Sequence, residues 1–258
     1  MRYFGLQVIL FVFVGVSALA QSPTLNEKVS RFVSGKLGQR VGGGECAHLA
    51  MEALRHAGAK FLRGADHPEP GDYVWGKLIA VLEPGKLDFK TKVKSGDLVQ
   101  FRNSTFKNGA LYTHHTAVVA EVDDRGQPTA VWEENVGPLG KADRTVRKTK
   151  IDFGLLKSGW IRIYQPEPRV RKPGQYEFVL LNRTDIPRDV FVQLGDRRLF
   201  TISLTADNTD ASYGYGMATI NAPIPPTLVV GASRINIVDA AGYEIVTNDG
   251  KVTIRRMP

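Results

Sequence analysis

One cysteine in 258 residues is the scarcity that matters most here. A single thiol excludes an intramolecular disulfide and any structural zinc site built from several thiolates. Acidic residues are also in the minority: 26 Asp plus Glu face 34 Lys plus Arg, a formal net charge of +8. Long apolar runs are missing beyond the first twenty residues, so no later segment predicts a bilayer-spanning helix. The 26 glycines and 14 prolines follow no collagen-like period, and no internal repeat appears. With 43% hydrophobic residues and 12 Phe, 8 Tyr and 3 Trp, the chain is too rich in core formers for a disordered tail. A packed globular protein of one large or two small domains is expected.

The N-terminus addresses compartment. Residues Met1 to Ala20 carry Arg2, run apolar from Val8 to Val16, and end in Ala18-Leu19-Ala20, the pattern of a secretory signal peptide with a small-residue cleavage site. The mature protein is therefore expected to be secreted, periplasmic or in the cell envelope. Exported chains use cysteines in pairs, so a lone thiol points either to a reactive role or to a small buried hydrophobe.

Periodicity organises the rest. Leu25, Val29, Phe32, Val33 and Leu37 recur at helical spacing, and Thr24 with Glu27 forms a capping-box signature. After Gly42-Gly43-Gly44, a second helix places Cys46, Leu49, Ala50, Ala53, Leu54 and Ala57 on one face and stops at Gly58. Val74 to Leu82 suggests a third, short helix. From Gly96 the period becomes two, and 97–102, 113–122, 130–136 and 160–164 read as strands, with Asp123-Asp124-Arg125-Gly126 as a hairpin turn. The stretch 165–175 is rich in proline and charge and reads as a linker. Residues 176–258 alternate in short runs, with Asn248-Asp249-Gly250 before the last strand, and predict a small β-sandwich devoid of clustered chemistry. The domain layout expected is thus 1–20 signal peptide, 21–164 first domain, 165–175 linker and 176–258 second domain.

Four residues could carry chemistry. Cys46 falls in the first turn of a helix, where the N-terminus stabilises an anion, although the carboxylate of Glu45 opposes it. On the strand Thr113 to Val119, alternation puts His115 with Ala117 and Val119 on one face and His114 with Thr116 and Val118 on the other, and either imidazole could act as base. On the next strand Glu133 and Asn135, two apart, are expected to point the same way, where one accepts the histidine Nδ1 proton and fixes its tautomer.

Taken in order, Gly44-Glu45-Cys46 with Leu49-Ala50, Gly96-Asp97-Leu98-Val99, His115-Thr116-Ala117-Val118-Val119 and Glu133-Glu134-Asn135 resemble the CHAP family of cysteine, histidine-dependent amidohydrolases and peptidases. The related NlpC-type peptidoglycan peptidases share the same papain-like core. The resemblance covers about residues 24–164. It implies an α+β, papain-like domain with helices packed on an antiparallel sheet, followed by the all-β sandwich. It also implies Cys46 as nucleophile, His115 rather than His114 as base, Glu133 as the residue orienting the imidazole and Asn135 as an accessory polar group near the thiol. Ala47 stands where an aromatic often follows the cysteine, as in a divergent branch of the superfamily.

The function implied is a secreted thiol-dependent hydrolase of amide bonds, acting on peptide or peptidoglycan-like substrates, with no metal or organic cofactor required. The alternative is a catalytically silent papain-like scaffold that binds partners in the envelope. Lys141, Arg144, Arg147, Lys148 and Lys150, with Arg169, Arg171 and Lys172, suit an anionic polymer such as wall glycan, or acidic lipid headgroups at a membrane surface. A solvated basic surface explains them equally well. Nucleic acid fits the export signal poorly, and oligomeric state is not encoded in any pattern.

Overall fold

The computed structural model describes residues 22–62, 73–88, 92–137, 143–207 and 214–258. The signal-peptide segment Met1 to Ala20, most of the loop from Phe61 to Gly71, and Lys141 lie outside the described residues.

Two helices come first. Helix α1 (Leu25–Ser34) starts where the capping box requires: Thr24 Oγ1 accepts from the Glu27 amide at 3.3 Å, and Glu27 Oε2 accepts from the Thr24 amide at 2.8 Å. Helix α2 (Cys46–Ala57) ends at Gly58, whose left-handed backbone satisfies the last carbonyls. Strands β1 (Lys77–Glu83), β2 (Lys86–Asp88), β3 (Leu98–Phe106), β4 (Leu111–Val122), β5 (Pro128–Glu133), β6 (Arg147–Lys150) and β7 (Leu156–Gln165) form one antiparallel sheet in the order β2-β1-β7-β3-β4-β5-β6.

Alternation splits this sheet between two cores. Leu98, Val118, Ala120, Ala130 and Trp132 share a cluster with Val29 and Val33 of α1 and Leu49, Ala50, Ala53 and Leu54 of α2. Val99, Phe101, Ala117, Val119, Val131, Ile161 and Ile163 point the other way, into a second cluster with Phe106, Phe153 and Leu156.

The remaining strands are β8 (Gln175–Asn182), β9 (Arg188–Leu194), β10 (Arg197–Leu204), β11 (Tyr215–Asn221), β12 (Thr227–Val230), β13 (Ser233–Asn236), β14 (Ala241–Asn248) and β15 (Lys251–Arg256). They make two four-stranded sheets, β10-β9-β12-β13 and β11-β8-β14-β15, around a third cluster that includes Phe178, Leu180, Val192, Leu228, Tyr243 and Ile245. All pairs are antiparallel except β8 with β14. Strand β8 serves two cores, because Val179, between Phe178 and Leu180, faces the cluster that contains α2.

The expected fold class is corrected by this architecture. An α+β chain with helices packed on an antiparallel sheet was anticipated, whereas the structure is mostly β, 51% strand against 12% helical. Part of the reason is local: the third helix read at Val74 to Leu82 is instead β1, which pairs with β7 and turns back through Pro84-Gly85 into β2. Ile79 and Val81 are β-branched and Pro84 bars continuation of a helix, so a short apolar run with ambiguous period resolves as strand. The C-terminal stretch, expected as an all-β sandwich, adds eight strands and no helix among the described residues.

The proline- and charge-rich stretch between β7 and β8 is tied down. Lys60 donates its amide to Glu167 O at 3.0 Å, and the Arg169 guanidinium bonds Glu177 at 2.6 Å and Asp239 at 2.8 Å.

Gly96 joins α1 to the sheet. Its φ is +90°, and a Cβ added there would lie 2.2 Å from the Asn26 carbonyl oxygen. Next to it, the buried Asp97 carboxylate accepts from Asn26 Nδ2 at 2.6 Å and from the Lys94 amide at 2.8 Å. Burial pushes that carboxyl up to about 6 in spite of both bonds. Gly96→Ala combines a left-handed backbone with a backbone clash, and a loss of at least about 2 kcal/mol is expected. A denaturant midpoint unchanged from wild type would contradict that account of the Gly-Asp pair.

Candidate active site

The loop before α2 decides where the thiol goes. Gly42 adopts φ +56°, and a Cβ there would meet the His48 Cβ at 2.9 Å, so only glycine lets the loop lie this close to the helix start. The Gly43 amide then donates to His48 Nδ1 at 3.1 Å, which fixes that ring against the loop. Cys46 follows as the first residue of α2, 8% exposed, with the field of the helix N-terminus behind it.

Glu45 occupies the N-cap position and makes no capping bond with its side chain. Its Oε2 accepts instead from Asn135 Nδ2 at 2.7 Å. The opposing carboxylate seen in the sequence is thereby engaged away from the amides of the helix start.

The base is supplied by β4. His115 is 6% exposed, and its Nε2 meets Glu133 Oε2 at 3.2 Å, across from β4 at the end of β5. The imidazole also shares a hydrogen bond with the Cys46 sulfur. Burial works against a charged His115, but the Cys46 sulfur and the Glu133 carboxylate outweigh it and raise the imidazole to about 9. For Glu133, burial alone would raise the carboxyl; bonds from His115 and Thr149 Oγ1, with the charge of Arg147 at 3.5 Å, hold it below its ordinary value. Tyr112, whose ring lies 5.2 Å from that of His115, completes the wall, and burial together with Glu133 pushes its phenol up.

The four residues singled out from sequence therefore separate. Cys46, His115 and Glu133 come together. Asn135 does not join the imidazole: β5 ends at Glu133, Asn135 turns into left-handed backbone at φ +61°, and its amide reaches Glu45. The shared direction expected for Glu133 and Asn135 needed a strand that continued to residue 136. The imidazole nitrogen that meets Glu133 is also Nε2 and not Nδ1. His114 lies on the other face, edge-on to Tyr73 with ring centroids 4.9 Å apart.

Two residues at the site were missed in the sequence. His48 sits one helical position beyond the thiol's neighbour and stacks on Tyr215 of β11, ring centroids 4.0 Å apart. Glu134 is wholly buried, and its Oε1 accepts the Val41 amide at 2.6 Å. Nothing in the pattern distinguishes Glu134 from a solvated strand-end glutamate. Among the described residues no group of His, Cys, Asp or Glu is arranged to hold a metal ion.

Comparison with known proteins agrees with the papain-like resemblance at the level of the fold. A family model described as the AIM3/BBC1 cysteine proteinase-fold domain matches residues 19–172. Altered inheritance of mitochondria protein 3 of Debaryomyces hansenii is 30% identical over 170 residues, 58% of this chain. The match spans only 17% of that relative's own length. A solved structure of the N-terminal domain of AlgF from P. aeruginosa aligns to 34% of this chain and all of its own, at 18% identity and a TM-score of 0.23, and at that score it carries no argument. Through residues 19–172, the chain belongs to the AIM3/BBC1 cysteine proteinase-fold family.

Proposed function

We propose that the chain is a thiol-dependent hydrolase of amide or other acyl bonds, with Cys46 as nucleophile, His115 as proton donor and acceptor, and Glu133 as the group that orients the imidazole. The observation that carries this proposal is the chain of contacts from the Cys46 sulfur to His115 to a wholly buried Glu133. A carboxylate stripped of solvent demands compensation, and this one finds it in an imidazole held against a thiol at a helix N-terminus.

In the proposed reaction the Cys46 thiolate adds to the carbonyl carbon and the carbonyl electron pair moves to oxygen. His115 gives its proton to the leaving group as the tetrahedral species collapses to an acyl-thioester. Water, deprotonated by His115, then releases the acid. The first amides of α2, left without a side-chain cap by Glu45, support developing negative charge on oxygen. Export to the envelope, with peptidoglycan-like peptides as substrate, is part of the same proposal and is supported by the sequence of Met1 to Ala20 and by the basic residues alone.

One observation favours the competing scaffold reading. Both the thiol and the imidazole are nearly covered, at 8% and 6% exposure, so a substrate must displace something to reach them.

Two measurements separate these readings. Hydrolysis of p-nitrophenyl acetate and of a mixed peptide library is expected to fall at least about 10³-fold in Cys46→Ala. Turnover retained in that variant would remove Cys46 from the reaction, and a wild-type protein inert toward both probes would favour the scaffold. The pH profile supplies the second measurement. Because His115 is raised to about 9, its proton is retained below that pH, and turnover is expected to decline as pH rises through about 9. Glu133→Gln removes the anion that helps hold the proton, so the alkaline limb should move down by about one unit or more. An unmoved limb would detach Glu133 from the imidazole.

A further inference from the structure

Adjacent residues at the end of β5 meet opposite fates. Glu133 points toward His115, and Glu134, one residue on, toward the loop that precedes Cys46. Both are wholly buried. Glu133 has four partners for its two oxygens: His115, Thr149, Arg147 and Tyr112. Glu134 spends Oε1 on the Val41 amide, and its Oε2 is buried with no hydrogen-bond partner among the described residues.

An ionised carboxylate with a bare, buried oxygen is costly, whereas a neutral acid needs only an acceptor for its single O–H. We propose that Glu134 is a neutral carboxylic acid whose Oε2–H is a hydrogen-bond donor for the carbonyl oxygen of a substrate attacked by Cys46. The charges of Cys46 at the start of α2, Glu45 at its N-cap position and Arg40 in the preceding loop act on it. Burial is the largest influence and favours the neutral form, the charges of Cys46 and Glu45 act in the same direction, and the Val41 amide and Arg40 oppose them; the balance lifts the carboxyl to about 9. Two carboxyls whose surroundings push them apart mark a division of labour, one ionised and one a donor.

The inference rests on the hydrolase reading of Cys46 and His115. In the addition step the sulfur–carbon bond forms and the carbonyl π pair moves to oxygen. Glu134 hydrogen-bonds that oxygen and keeps its proton, and on collapse the leaving group takes its proton from His115. Glu134 thus acts on the charge that develops in the transition state.

The test exploits a difference between two reactions of the same thiol. Alkylation of Cys46 by iodoacetamide generates no oxyanion at a carbonyl under attack, while acyl transfer from p-nitrophenyl acetate does. In the full chain, Glu134→Ala should lose about 10²-fold or more in acyl transfer, while its alkylation rate changes by less than about threefold. Glu134→Gln, whose amide can still accept from Val41 and donate to the substrate, should recover most of the loss. Difference infrared spectra of wild type against Glu134→Gln at pH 7 should contain the C=O band of a protonated carboxyl. Glu134→Ala that transfers acyl groups as fast as wild type, Glu134→Gln as impaired as Glu134→Ala, or a spectrum with only carboxylate bands would each overturn the donor role. These outcomes leave the Cys46 reading standing, because that reading fails separately, when Cys46→Ala still hydrolyses the ester or wild type does not.

Discussion

Two neighbouring carboxyls without solvent exposure impose a constraint that the surrounding structure obeys. Buried side by side and both ionised, Glu133 and Glu134 would repel each other in a region with no water to screen them. The strand end turns them to different surroundings, Glu133 to His115 and Glu134 to the loop at Val41, and compensates them differently. Glu133 is given cations and hydroxyls; Glu134 is given a backbone amide and the company of Glu45 and Cys46. This allocation places His115 between Glu133 and the thiol, and it ties the strand end through Val41 to the glycine loop that delivers Cys46. The helix start and the strand end are consequently fixed to each other by polar contacts in an otherwise apolar wall of Leu49, Val118 and Trp132.

The C-terminal strands take part in that fixation. Tyr215 lays its ring on His48 and donates its hydroxyl to Glu52 at 3.0 Å, so one side chain touches the first and second turns of α2. Arg40 bridges the Gly43 carbonyl at 2.7 Å and Asp207 at 2.7 Å. Val179 and Met217 add apolar contact against the same cluster. Tyr215, Asp207, Val179 and Met217 all lie beyond the stretch 19–172 that the family model matches. The loop and helix that present the thiol are therefore braced from two directions, by β5 on one side and by strands beyond the family match on the other. A bracing of that kind restricts the small backbone adjustments by which a glycine loop would otherwise wander.

Much of the site was legible because it depends on local rules. The capping box at Thr24, the glycine stop at Gly58 and the thiol in a first helical turn follow from residue types at fixed offsets. Alternation put His115 on one face with Ala117 and Val119, which do share one cluster, while the choice of His115 over His114 came from the family resemblance. What was not legible depends on where elements end. The strand β5 stops at Glu133, so period two ceased to govern Asn135, and its amide went to Glu45. Glu134 is invisible in the sequence because burial of a glutamate is a property of what packs over it, here the loop at Val41. The fold class was misjudged for a related reason: Val74 to Leu82 holds too few residues for its period to be decisive, and pairing with β7 settled it.

The identity of the ring nitrogen that meets Glu133 has a consequence for proton traffic. With Nε2 turned to Glu133, the imidazole is held by its far edge. Tyr112 and Phe101 flank the ring, with centroids 5.2 and 6.0 Å away, so rotation about χ2 that would exchange the nitrogens must displace two aromatic neighbours. In the proposed reaction the proton passed to a leaving group comes from the nitrogen that does not meet Glu133, and Glu133 stabilises the imidazolium before that transfer without having to accept the proton. The orientation is self-consistent with the carboxyl allocation: an ionised Glu133 fixes a donor at Nε2, and a neutral Glu134 adds no second anion that would pull the imidazolium toward the loop at Val41.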